Sequence, residues 1–310
     1  MGAGVGERHG HDHVSAAGSH RGRLALVLGI TVTVLAAEVV GGVVTGSLAL
    51  LADAGHLLTD AVGIGIALGA VVLAHRPAPA VRSYGNFRVE ILAALVNGVL
   101  LLVVSAAVLV EVVLRARNPA EVDAGPMLVI GVLGLAANGA AVLVLRQGQS
   151  ASLNVRGAYL EVLGDLVGSV AVIVAALVIL GTGWQQADVA ASLLIAVLII
   201  PRAVGLLRAA VHVLFESTPD GVDLDELRAH LAAVPGVVEI HDLHVWTITS
   251  GMPVLSAHVV VEPAAMAQAC GASGVLDRLC ACVGDHFDVE HSTFQLEPAG
   301  HEAHERAAHD

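Results

Sequence analysis

The sequence predicts an α-helical membrane protein with six transmembrane helices, followed by a small α+β domain of order α-β-β-α-β. Three observations predict it. The 310 residues are 56% hydrophobic and only 14% charged, with a mean hydropathy of +0.79, values that suit a multi-span membrane protein and not a soluble enzyme of this length. Six apolar stretches are each long enough to cross a hydrocarbon core of about 30 Å. After about residue 212 the composition changes to that of a soluble domain. A net charge of −13 gives no footing for nucleic acid. The cysteines, Cys270, Cys280 and Cys282, are odd in number and clustered, so they make no disulfide framework and suit a reducing compartment.

The apolar segments run over residues 24–44, 48–74, 89–114, 125–145, 154–181 and 186–211. The third begins after Arg88 and the fourth after Pro126, and Gly181 and Gly183 separate the last two. Residues 1–23 form a polar, His-rich tail with no signal-peptide core. An even number of spans puts both termini on one side. Arg8, Arg21, Arg23, Arg76, Arg82, Arg146, Arg156, Arg202 and Arg208 flank the N-terminus, the second and fourth connections, and the end of span six. The first and fifth connections carry no arginine, and only Arg115 and Arg117, on the third, break the pattern. Excess positive charge marks the cytoplasmic side, so both termini are expected there.

Residues 212–298 then read as one domain. Leu224, Leu227 and Leu231 recur at helical spacing, with acidic residues in the first turn, and Pro235-Gly236 ends the helix. Two β-rich runs follow at 237–249 and 254–262. In the second, Leu255, Ala257, Val259 and Val261 alternate with Ser256, His258 and Glu262, as in a strand buried on one face. A helix across 264–283 and a strand at 289–297 complete a helix pair on one face of a three-stranded sheet. Residues 299–310 form a second His-containing tail.

Four ionisable side chains interrupt the spans in two pairs. His56 and Asp60 lie in span two; Glu161 and Asp165 lie in span five. Each pair is spaced i, i+4, so on a helix both members point the same way. Such a group at the bilayer centre costs at least ~2.5–3.5 kcal/mol, so it faces a cavity or partner and marks an ion path. All four are metal-ligand types, and, Arg156 at the start of span five apart, no Lys or Arg inside spans two or five offers them a basic partner. They read as a divalent-metal site between two helices. One nitrogen with three oxygens suits Zn²⁺ in a tetrahedral site and leaves Co²⁺, Fe²⁺, Ni²⁺ and Mn²⁺ open. Asp53 and Asn154 stand seven residues before Asp60 and Glu161, on nearly the same stripes. Asp53 and Glu38 read equally as ion-path groups and as helix-to-helix hydrogen bonds; Asn97 and Asn138 read as the latter.

Longer stretches carry a resemblance. Ser47-Leu-Ala-Leu-Leu-Ala-Asp-Ala-Gly-His56-Leu-Leu-Thr-Asp60, Tyr84-Gly-Asn-Phe-Arg88-Val-Glu90 and Gly157-Ala-Tyr-Leu-Glu161-Val-Leu-Gly-Asp165-Leu-Val-Gly-Ser169 resemble the second, third and fifth spans of the cation diffusion facilitator family, zinc/cobalt/cadmium resistance type. His241-Asp-Leu-His244-Val-Trp246 and Ser256-Ala-His258-Val resemble its cytoplasmic domain. The resemblance implies a homodimer with spans one, two, four and five around a transport site. It also implies a ferredoxin-like cytoplasmic domain, and export of Zn²⁺-like ions against protons from a bacterial inner membrane. It further implies a cytoplasmic metal site at His241, His258, His291 and Glu297, with His244 a fifth candidate and Gln295 set aside as a weak zinc ligand. Many zinc-carrying members have His where this chain has Glu161, and the His-rich loop some place between spans four and five is absent from 146–152.

Weaker signals remain. His9, His11, His13 and His20, with His301, His304 and His309, form loose terminal clusters that read as solvated tail or as weak metal capture. Cys280 and Cys282 sit two apart in a helix and face different directions, which favours packing over ligation. His75 has no clustered partner, and Asn86 stands where some relatives bind metal, so no site is expected there. Two other classes use the same ligands, a membrane metallohydrolase and a membrane-bound metal sensor. The first lacks a His-Glu-x-x-His or Gly-x-Ser-x-Gly element, and a full ligand set within the spans argues against the second.

Overall fold

Each apolar run folds as one long helix because a backbone in hydrocarbon must satisfy its polar groups internally. The computed structural model describes residues 13–73, 82–146, 153–267, 271–289 and 291–301; the side chains of 13–24, 66–68, 70–73, 153–158, 160 and 161 lie outside that description. Six helices result: α1 His13–Thr45, α2 Leu48–Leu73, α3 Arg88–Arg117, α4 Ala124–Arg146, α5 Leu153–Thr182 and α6 Gln186–Leu214. All six are long and apolar enough to span a membrane. The chain divides into two compact units, one holding α1, α2 and the stretch Ala93–Leu207, the other holding residues 82–92 and the chain from Arg208 onward.

In the helical unit α1, α2, α4 and α5 pack on one another. Glycine permits the close approach: a Cβ on Gly41 of α1 would collide with the Ile130 side chain of α4. A core of Leu48, Leu50, Leu101, Met127, Ala176, Ile195, Ala196 and Ile199 joins α2 to α6.

The loop ends of this unit are tied by charge. The Asp188 carboxylate on α6 accepts from Ser47 Oγ at 2.6 Å, Leu48 N at 2.8 Å and Ala49 N at 3.2 Å, capping the first turn of α2 with a residue from another helix. Arg115, which broke the arginine pattern, donates from Nη1 to Gly46 O at 2.6 Å and from Nε to Glu111 Oε1 at 2.8 Å. Its charge therefore answers the carbonyl end of α1.

The second unit has α7 Leu224–Ala232, β1 Val237–Thr247, β2 Pro253–Val261, α8 Pro263–Met266, α9 Gly271–Phe287 and β3 His291–Pro298. Asp223 caps α7, accepting from Asp225 N and Glu226 N. β1 and β2 run antiparallel and β3 lies parallel to β2, giving the order β1-β2-β3. Leu227, Leu231, Val275, Leu279 and Val283 from the helices meet Leu255, Ala257, Val259 and Val261 from β2. This is the α+β layering expected, with one correction: the helix expected over 264–283 is two helices, α8 and α9. Pro263 starts the first, and Gly271, at φ 41°, adopts a conformation that breaks the run.

The start of α3 belongs to this second unit. Arg88 Nη2 pairs with Glu216 Oε1 at 2.6 Å, Thr249 Oγ1 donates to Glu90, and Arg82 donates to Asn86 Oδ1.

Candidate metal centre

Within the helical unit the i, i+4 spacing on α2 stacks His56 over Asp60, and α5 brings Asp165 against them. His56 Nε2 lies 3.1 Å from Asp165 Oδ1 and 3.5 Å from Asp60 Oδ2. All three residues are buried, and one ligand atom from each falls within 4.8 Å of the others, a separation one bound cation can span. Glu161 lies on α5 one turn before Asp165, and its side chain, like that of Asn154, is outside the described residues.

One member of the cluster was not expected. Arg202, on α6 directly after Pro201, places Nη1 2.9 Å from His56 Nε2 and Nη2 3.4 Å from Asp60 Oδ1. The expectation that these acids have no basic partner, and the reading of Arg202 as a flanking charge, are both corrected. Apart from Arg156 at the start of span five, spans two and five carry no Lys or Arg, and a compensating cation comes from span six. An arginine following proline inside an apolar run was the signal available.

Further along α1 and α2 the Glu38 and Asp53 carboxyls adjoin, both almost wholly buried. Two glycines make room for them. A Cβ on Gly134 of α4 would come 3.1 Å from Glu38 Oε1, and one on Gly168 of α5 would strike Asp53 Oδ1. Asn138 Nδ2 donates to Ser169 Oγ at 3.4 Å, joining α4 to α5, and Asn97 Nδ2 donates to Thr59 O at 3.1 Å, joining α3 to α2.

A second cluster lies on the sheet of the other unit, on the face away from α7 and α9. His241 stands opposite His258 in the β1–β2 ladder, and their ring centroids are 5.1 Å apart. Glu297 on β3 completes the group: Oε1 is 2.9 Å from His258 Nδ1 and Oε2 is 3.4 Å from His241 Nε2. Between His241 and His244 the register slips, so that Asp242 and Leu243 together oppose Ala257. Asp242 takes φ 46°, the left-handed conformation that Asp tolerates better than most residues. The bulge brings an Asp242 oxygen within 4.8 Å of the two histidines. Gln295 Nε2 donates to Glu297 Oε1 at 2.7 Å. Asp242 was missed and Gln295 set aside; both belong to the neighbourhood of this cluster.

His291 does not. It is exposed at the far end of β3, six residues and about 20 Å along the strand from Glu297. Its ring meets Tyr84 edge-on at 5.8 Å. Of the four expected residues, one copy of the chain brings together His241, His258 and Glu297, and Asp242 lies beside the two histidines. His244, past the bulge and opposite Ser256, lines a separate groove with Thr218 and Trp246.

Of the cysteines, Cys280 is exposed and receives a weak hydrogen bond from Ser292 Oγ at 3.7 Å. Cys282 faces the core, where burial, and then Asp285, push its thiol up and away from the thiolate that metals bind. Cys270, His75, His9, His11, His304 and His309 lie outside the described residues, as do the side chains of His13 and His20.

Six spanning helices around buried acidic and imidazole groups, with a separate α+β domain, define a multi-pass membrane carrier of cations. Residues 24–215 match the cation efflux transmembrane domain, and residues 219–299 match the cation efflux protein cytoplasmic domain. The chain belongs to the cation efflux, or cation diffusion facilitator, family: it is a metal-cation efflux transporter and not an enzyme. The metal cation is its transported substrate. The metal cation efflux system protein CzcD of Cupriavidus metallidurans is 45% identical over 98% of this chain and 94% of its own length. The zinc transporter ZitB of Escherichia coli is 40% identical over 93% and 92% respectively. The cadmium, cobalt and zinc/H(+)-K(+) antiporter of Bacillus velezensis is 38% identical over 94% and 93%. Among solved structures, the metal-bound C-terminal domain of the CzcD transporter of C. metallidurans matches 24% of this chain and 99% of its own, at 41% identity and a TM-score of 0.22.

Proposed function

We propose that this transporter exports divalent metal, Zn²⁺ foremost, in exchange for protons through a site formed by His56, Asp60, Glu161 and Asp165. The observation that carries the reading is the convergence of His56, Asp60 and Asp165 from two helices onto one buried point. A cation there needs neutral imidazole and ionised carboxylate, so metal binding expels protons and proton binding expels metal. Competition for one set of atoms is the physical basis of antiport. The energetics favour it: moving two charges outward against about 100 mV costs about 4.6 kcal/mol, and each returning proton recovers about half. The spans would rock around this site to open it to either side. The names of the relatives, a zinc transporter and an antiporter among them, agree.

Around this site Asp53, Glu38 and Asn154 would line the ion path. Residues 24–211 would form the transport domain and 212–298 the domain through which two copies pair, flanked by tails at 1–23 and 299–310. Both termini would face the cytoplasm of a bacterial inner membrane. Metal held by His241, His258 and Glu297 would regulate transport by favouring one arrangement of the dimer. The test is Zn²⁺ uptake by proteoliposomes under an imposed pH gradient. Uptake should follow the gradient and be outcompeted by the preferred ion; uptake indifferent to the gradient would remove the antiport.

A further inference from the structure

We propose that Arg202 is a tethered counter-cation of the intramembrane centre, holding His56 and Asp60 until an incoming divalent ion displaces it. This rests on reading that centre as the transport site. His56 Nε2 is the ring atom that meets Asp165 at 3.1 Å and Asp60 at 3.5 Å, so it is the nitrogen on which the candidate ligands converge. The guanidinium reaches the same atom at 2.9 Å. Guanidinium nitrogens only donate, so in the tautomer that leaves Nε2 unprotonated Arg202 engages the lone pair through which the imidazole would bind a metal. Its other terminal nitrogen lies 3.4 Å from Asp60 Oδ1. The two cations thus compete for the same atoms.

They also repel. A divalent ion coordinated by His56 would stand a few ångströms from a guanidinium left in place, in a site with little water to screen the two. Arginine does not lose its proton at any working pH, so it can leave only by swinging away. A side chain one-third exposed has room for that movement. Metal capture then becomes an exchange of one positive group for another. The returning guanidinium helps to expel the ion, and the acids are never left without a counter-charge. Arg202 is accordingly a positioning residue that sets affinity and release.

The test is Zn²⁺ flux by the purified full-length chain in proteoliposomes, fitted for half-saturating concentration and maximal rate. Arg202→Gln removes the competing charge, so the half-saturating concentration should fall about tenfold, equivalent to roughly 1.4 kcal/mol. The maximal rate should fall with it, because release loses its helper. A residue that merely braces α6 would lower the maximal rate and leave the half-saturating concentration unchanged or raised, and that result overturns the proposal. If Arg202→Gln does not fold, Arg202→Lys decides by the same criterion. Its single ammonium cannot engage His56 and Asp60 together, so the same direction is expected, and an unchanged half-saturating concentration overturns the proposal. Asp165→Asn separates the two readings. Lost flux there with no tightening in the Arg202 variant refutes Arg202 alone, whereas wild-type flux in Asp165→Asn refutes the centre and the proposal together.

Discussion

His56 Nε2 lies 3.1 Å from Asp165 Oδ1, although one residue belongs to α2 and the other to α5. Neither helix alone assembles the cluster. Their packing brings Asp165 to the α2 pair, and it is permitted by glycine: Gly168 sits one turn from Asp165 and gives Asp53 of α2 its space. The small residues that let the helices touch are therefore also the ones that shape the polar interior.

Among the described side chains, Asp165 is the candidate ligand that α5 brings to that point. Asp165→Ala should reduce Zn²⁺ flux in proteoliposomes to background, while expression, membrane insertion and thermal midpoint stay near wild type, since removing a buried charge does not harm spanning. Wild-type flux in the purified variant would eliminate Asp165 as a ligand.

Asp188 serves stability and not ion binding. Its carboxylate accepts from Ser47 Oγ and from the Leu48 and Ala49 amides at the start of α2. Asp188→Ala should cost about 2–3 kcal/mol. Thermal unfolding in detergent should shift down by roughly 5 °C or more, with the half-saturating metal concentration unchanged. An unaltered midpoint would show that the first turn of α2 is held by something else.

Gly168 and Gly139 make a controlled pair. A methyl at Gly168 collides with the Asp53 carboxylate, whereas one at Gly139 meets nothing within 4 Å. Gly168→Ala should lower the maximal transport rate several-fold, because the buried Asp53 has little room to retreat and α2 must shift from α5. Gly139→Ala should transport normally. Equal rates in the two variants would remove Asp53 from the ion path.

Much of this was legible beforehand. Apolar runs bounded by Arg88, Pro126 and Gly183 disclosed the six helices, because length and hydropathy decide spanning. The i, i+4 spacing disclosed which side chains share a face. Arg202 was read as a flanking charge because its partners belong to another helix, and a search for compensating charge confined to spans two and five could not pair it with them. Asp242 was hidden for a related reason. A bulge is a property of how β1 pairs with β2, and alternation along β1 alone does not reveal a one-residue slip. His291 carried the right chemistry, yet the rise of a strand separates it from Glu297 by about 20 Å.

In the second unit Glu297 is the hinge of the cluster, since its two oxygens face the two histidines separately. Glu297→Gln should weaken Zn²⁺ binding by residues 212–298 at least tenfold in calorimetry, because a charged ligand becomes a weak neutral one. Folding should persist, since the core of Leu227, Leu255 and Leu279 lies on the opposite face of the sheet. His291→Ala should leave the affinity of the isolated domain unchanged. Equal losses in the two variants would place His291 in the site after all.

The sharpest expectation concerns Glu161, which shares a helical face with Asp165. Glu161→His removes one negative charge and gives the proposed site two nitrogens and two carboxylates. Fewer acids then compete for protons, and imidazole titrates nearer neutrality. Nitrogen donors also favour Zn²⁺ over Mn²⁺, whose preference is for oxygen. The variant should keep Zn²⁺ transport, lose Mn²⁺ and Fe²⁺ relative to wild type, and show a displaced pH profile. Flux of Zn²⁺ and Mn²⁺ across about pH 6–8, a range that brackets imidazole titration, measures both effects in one series. Were ion preference and pH dependence both unchanged, Glu161 would not touch the metal, and the ligand set would reduce to His56, Asp60 and Asp165.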